Sequence, residues 1–146
     1  MPLRSRPQNR RPENASGYSG TPLPKKLGLK EKLRVALLAI PPEVKAELTP
    51  VLASCCLVQD ETLDFAMVFV KSQAELKPAF ARLTPELTPS GMLWACWPKK
   101  TSGIASDLTE NAVRAIGLAA GLVDVKVCAV SKVWSGLKFV RRLRDR

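Results

Sequence analysis

The residue types and spacing best suited to chemistry lie in one stretch, Trp97-Pro98-Lys99-Lys100-Thr101-Ser102-Gly103. It follows an apolar run, Met92 to Trp97, and precedes Ser106-Asp107-Leu108-Thr109-Glu110, a capped helix start. A buried strand that delivers a cationic loop to a helix N-terminus brings ammonium groups and backbone N–H groups toward one point, an arrangement that holds an anion. Lys71, at the end of the preceding apolar run, is expected on the same rim. The candidate ligand-binding residues are therefore Trp97, Lys99, Lys100, Thr101, Ser102, Gly103 and Lys71, with Tyr18 a second aromatic face for a ring. Asp107 or Ser106 is expected to cap the helix, and a carboxylate there competes with any anion for the same donors. The G-x-x-x-x-G-K-[ST] pattern of a P-loop is absent.

The catalytic classes that the composition excludes are as informative. The chain of 146 residues has no histidine, which removes the commonest general base and with it the Ser-His-Asp and Cys-His arrangements. Ser135-Gly136-Leu137-Lys138 spells S-x-x-K, but that motif needs adjacent helical turns and these residues open a strand. Cys55, Cys56, Cys96 and Cys128 show no C-x-x-C spacing, so they read as reduced, buried thiols of a cytoplasmic protein. No catalytic residue, metal or cofactor is assigned.

Alternation and punctuation then give the elements that position the loop. Leu33 to Ile40 is a continuous apolar run ended by Pro41-Pro42, expected as a central strand followed by a helix over about 43–53. Ser54 to Val58 reads as a short strand. Leu63 to Val70 is a second buried strand, and Ser72-Gln73-Ala74-Glu75 is a capping box opening a helix from Gln73 to about Arg82. Met92 to Trp97 is a third strand; a helix from Leu108 to about Ala120 follows it, with Leu108, Ala112, Ala115 and Ile116 inward. Leu122 to Val130 alternates as an edge strand, and Leu137 to Leu143 returns antiparallel. Strand–helix repetition closed by a hairpin is a three-layer, Rossmann-like α/β fold with a mostly parallel sheet. In such sheets ligands bind outside the carboxyl ends of the strands.

Charge is placed at the ends. Of the net +10, residues 1–34 carry +7, residues 35–131 carry −2 and residues 132–146 carry +5. Residues 1–16 have little to bury and read as a disordered basic arm, with 17–146 a single domain. No apolar run approaches a membrane span, so a cytoplasmic location is expected. Basic ends attract an anionic ligand or partner, nucleic acid included, although no nucleic-acid-reading motif is present.

The layout from Leu33 to Arg142 resembles the class I methyltransferase-type Rossmann fold. That resemblance implies a glycine-rich turn after the first strand, where this chain has Ile40-Pro41-Pro42-Glu43, and an acidic ribose ligand after the second, for which Asp60 and Glu61 are the candidates. Several separated segments also resemble a family of uncharacterised bacterial proteins, the domain of unknown function 3052 family. They are GYSGTPL-KKLG at Gly17 to Gly28, WPKK-SG at Trp97 to Gly103, DLTE at Asp107 to Glu110, GLVDVKVCAV at Gly121 to Val130 and WSGLKFV at Trp134 to Val140. The resemblance carries no activity with it. The function expected from sequence is a non-enzymatic α/β module binding a phosphate-bearing or other anionic ligand through its lysine loop. The alternatives are a methyltransferase-like enzyme with a degenerate cofactor site and a regulatory subunit that binds protein through its hairpin edge.

Overall fold

A computed structural model describes residues 20–146. The basic arm expected over residues 1–16, and Tyr18, lie outside the described residues. Helix α1 (Leu23–Leu27) is closed by Gly28, whose φ of +78° is a left-handed stop open to glycine. Strand β1 (Arg34–Leu38) is shorter than its apolar run because Ala39 turns left-handed at φ +57°. Helix α2 (Pro42–Leu52) starts on a proline, whose missing N–H is no loss in the first turn. Strand β2 is only Cys56–Leu57, and β3 spans Leu63–Phe69. Helix α3 (Gln73–Leu83) opens on the expected serine cap, the Ser72 hydroxyl accepting from Glu75 N–H at 3.2 Å. The Glu75 carboxylate reaches back one residue further than a standard capping box, to Lys71 N–H at 2.8 Å.

Strand β4 (Leu87–Pro98) is twice the expected length, because Leu87 already pairs with Leu63 before the register slips and resumes at Phe65 with Met92. The slip accommodates Pro89, which has no N–H for the ladder. Helix α4 (Glu110–Ala119) begins two residues later than the sequence suggests, and its buried face is Val113, Ile116 and Gly117. Ala112 and Ala115, expected inward, are instead half-buried and exposed. Strands β5 (Leu122–Ala129) and β6 (Trp134–Arg141) form the terminal hairpin.

The six strands lie in the order β2-β1-β3-β4-β6-β5. Neighbours among β1 to β4 are parallel, whereas β6 is antiparallel to both β4 and β5 between which it lies. Alternation along β3 divides the core in two. Phe65, Met67 and Phe69 face the layer of α1 and α2, with Leu27, Val44, Leu48, Trp94 and Trp134. Ala66 and Val68 face the layer of α3 and α4, with Leu76, Phe80, Val113, Ile116 and Phe139. This is the three-layer mixed α/β architecture expected from the strand–helix repeat. β1 is less buried than a doubly covered central strand: only Val35 in it is fully buried, since its outer neighbour β2 is so short. No helix among the described residues is long and apolar enough to cross a membrane.

Candidate functional site

The chain leaves β1 toward β2 on one side and later continues from β3 toward β4 on the other, so strand order reverses between β1 and β3. In sheets of this kind ligands bind at such a reversal, outside the carboxyl ends of the strands. The segments that leave the two strands there are Ala39-Ile40-Pro41 after β1 and Val70-Lys71-Ser72 after β3. The neighbouring exits are tied together, Val70 N–H donating to Cys96 O at 3.0 Å and Lys99 N–H to Val133 O at 2.7 Å.

Some donors of the helix starts at this edge are taken by side chains of the protein itself. Asp107 does not cap α4; its carboxylate accepts from Gln73 N–H at 2.9 Å, and so caps α3 from a different loop. The Gln73 amide nitrogen donates to Asp107 O at 3.2 Å, making the contact reciprocal. Helix α4 is capped by Thr109, whose hydroxyl accepts from Ala112 N–H at 3.1 Å. Ser106 serves Leu108 N–H instead, also at 3.1 Å. Side chains of the protein itself thus take two N–H groups at the start of α3 and one at the start of α4, donors that an anion clamp would otherwise use.

The loop residues themselves differ in exposure. Trp97 is buried among the residues of the α3/α4 face and offers no stacking surface. Lys100, Thr101 and Ser102 form a single 3-10 turn closed by Gly103 at φ +80°, and the Ser102 hydroxyl is engaged by Ile104 N–H at 3.1 Å. Lys71 and Lys100 are exposed, and Lys99 is half-buried. Burial, and then the charge of Lys26 on α1, hold the Lys99 ammonium below the ordinary lysine value, while the nearby Cys128 thiol on β5 acts the other way. Sequence reading missed this grouping because it joins α1, the β4 exit and β5, which are far apart in the chain. The lysine pair of α1 and the alternation that puts Lys126 and Cys128 on one face of β5 were the available signals.

The thiols are only partly as expected. Cys96 and Cys128 are buried, and burial pushes both thiols up, Cys96 well up, so they stay protonated. Cys56 is exposed, on the two-residue edge strand, and Cys55 is intermediate. Ser135 and Lys138 lie on a strand three residues apart, hence on opposite faces, and form no nucleophile–base pair.

Among solved structures, the chain is similar to a SAM-dependent methyltransferase from Aquifex aeolicus, with TM-score 0.57 and 16% identity over 88% of this chain and 93% of that one. The fold is the methyltransferase-type Rossmann fold. Magnesium protoporphyrin IX methyltransferase from Synechocystis PCC 6803, solved with bound SAH, matches at TM-score 0.54 and 12% identity, covering 82% of this chain and 78% of that one. Fibrillarin, a pre-rRNA processing protein of Methanococcus jannaschii, matches at 0.51 and 12%, covering 86% and 71%. No family model matches the chain, and no curated protein matches it in sequence. The expectation of a non-enzymatic module built on an anion-binding lysine loop is thereby corrected. Side chains of the protein itself take part of the helix donors it relied on, and two of the neighbours above that share the fold are methyltransferases.

Proposed function

We propose that the protein is a methyltransferase-like enzyme with a degenerate cofactor site, and that it belongs with the domain of unknown function 3052 family. The observation that carries the first part is the sheet. Parallel strands are closed by one antiparallel strand, β6, set between β4 and β5, and the likeness to the Aquifex methyltransferase extends over nearly the whole of both chains. The separated WPKK-SG, DLTE and WSGLKFV segments support the second part.

The residues at the β1/β3 reversal do not fit an adenosyl cofactor gripped in the ordinary way. The β1–α2 turn contains no glycine, and Pro41 and Pro42 supply no N–H. β2 pairs only with Arg34 and Val35 at the start of β1, so its end stops well short of the carboxyl edge. Asp60, the candidate ribose ligand, lies beyond β2 and faces Arg82 at the far end of α3, 3.7 Å away. What survives is the reversal of strand order between β1 and β3, without the glycine turn that the resemblance implies.

Titration of the full chain with S-adenosylmethionine and S-adenosylhomocysteine, read by thermal unfolding, tests the reading. A retained but weakened site gives a saturable rise only toward millimolar ligand. At ten times Kd the stabilisation is about 1.4 kcal/mol, or roughly 5 °C for a chain of this size. A flat response to both compounds through that range removes the methyltransferase reading and leaves only the shared fold.

A further inference from the structure

Helices α3 and α4 leave between them a groove of about 630 Å³. Its floor is Phe80 and Ile116, both buried, and its α4 wall is Ala112, Ala115 and Ala119. Those alanines recur at i, i+3 and i+7, so they share one face of α4, and their small side chains leave the space open. The polar lining sits toward one end. Gln73 and Lys77 lie one turn apart near the start of α3, whereas the far end is Thr84 and Pro85, with Thr84 two turns beyond Lys77, or about 10 Å along the axis. Thr84 Oγ1 is shut from solvent and Pro85 has no N–H, so neither offers a ligand a donor from hydroxyl or ring. We propose that the groove binds a medium-chain aliphatic carboxylate, its head on Lys77 and its tail laid along the alanines toward Pro85.

Size, polarity and charge each point to this occupant. The volume lies in the range of roughly 300–1,000 Å³ that small-molecule sites occupy, and a polar end with an apolar remainder selects a head-and-tail molecule over a uniformly polar one. Lys77 is the one ionisable residue lining the groove. The ion pairs among the described residues join Arg34 to Asp64, Arg82 to Asp60, and Arg114 to Glu110 and Asp124, so Lys77 enters none of them. An ammonium beside apolar surface, with no acid in the lining, complements a carboxylate and repels a cationic amphiphile. A second copy of the chain fits less well. Two-fold pairing of this face sets the same residues against each other, and Lys77 would find no acid in the partner groove.

The groove takes none of residues 39–41 or 70–72, which leave β1 and β3, so its occupancy is independent of the methyltransferase reading. The full chain is titrated calorimetrically with hexanoate, octanoate and decanoate, with octanol and octylammonium as controls for the head group. Octanoate is expected to bind saturably, and each added pair of methylenes to tighten binding by about tenfold while the chain still lies in the groove. Octanol should bind about three- to fivefold more weakly, the worth of a partly exposed ion pair, and octylammonium more weakly still. Lys77→Gln should weaken octanoate by the same factor and leave octanol unchanged, a split that loss of structure does not produce. Ala115→Leu, at an exposed helical position, should fill the groove and weaken octanoate by about tenfold or more without lowering the unfolding temperature. No binding of octanoate, an affinity indifferent to chain length, octylammonium as tight as octanoate, or undiminished binding by either variant each overturns the proposal. So does a concentration-dependent dimer in sedimentation that Ala115→Leu abolishes, which assigns the groove to a second copy.

Discussion

Asp64 shows how one side chain holds the amino edge of the sheet together. Its carboxylate accepts from Arg34 N–H at 2.9 Å, from the Arg34 guanidinium at 3.2 and 3.4 Å, and from the Thr88 hydroxyl at 3.3 Å, so that β3 is tied to β1 and to the irregular start of β4. Burial alone would raise the acid, but the bonds from Arg34 and Thr88 outweigh it and hold Asp64 below the ordinary carboxylate value. Asp124 is lowered too, first by its bond from Arg114 at 2.8 Å, which joins β5 to α4. A carboxyl depressed by folding contributes stability above its unfolded value, near 3.9, and loses it as pH falls through the folded value. Asp64→Asn is therefore expected to lower stability at neutral pH by about 1–2 kcal/mol and to flatten the acid limb of a urea-midpoint-against-pH curve below about pH 4. An unchanged acid limb would show that the carboxylate contributes nothing through its charge.

The elements depend on contacts that cross between them. Helix α3 takes its first cap from Asp107, 34 residues ahead, so the loop before α4 and the start of α3 form one unit. Asp107→Ala should cost about 0.5–2 kcal/mol, measured by denaturant unfolding, and should speed exchange of the Gln73 amide. A loss confined to α4 would contradict the assignment. Helix α4 lies close on β6 because Gly117 faces Phe139: a Cβ there would sit 2.0 Å from the Phe139 ring, itself edge-on to Phe80 at 5.0 Å. Alanine is normally the better helix former by about 1 kcal/mol, so intrinsic preference and packing oppose each other at this position. Packing wins, and Gly117→Ala is expected to destabilise by about 1–3 kcal/mol with loss of the Phe80–Phe139 contact in methyl and aromatic NMR shifts.

At the scale of the molecule, strand–helix alternation, the edge position of β5 and the antiparallel return of β6 were all legible, because long apolar runs and alternation report burial directly. The site was not. The Ser72–Glu75 box names its own helix start by local spacing, whereas the carboxylate of Asp107 serves a helix 34 residues away, and no local pattern distinguishes that role from capping α4. Lys99 likewise reads as half of a Lys-Lys loop, although its electrical neighbours are Lys26 and Cys128. The two-residue β2 is a third case, since Cys55-Cys56-Leu57 is as apolar as a longer strand and its length is set by where β1 needs a partner. That brevity also governs how the sheet exchanges protons with water. Leu33 and Val35 carbonyls accept from Cys56 and Val58 N–H groups, both at 2.9 Å, so alternate residues of β1 face β2. Leu37, next in that series, aims its backbone N–H past the end of β2, while Ala36 and Leu38 face β3. Deuterium labelling should find the Leu37 amide exchanging well ahead of its neighbours on either side, a fast site in the middle of an otherwise slow strand.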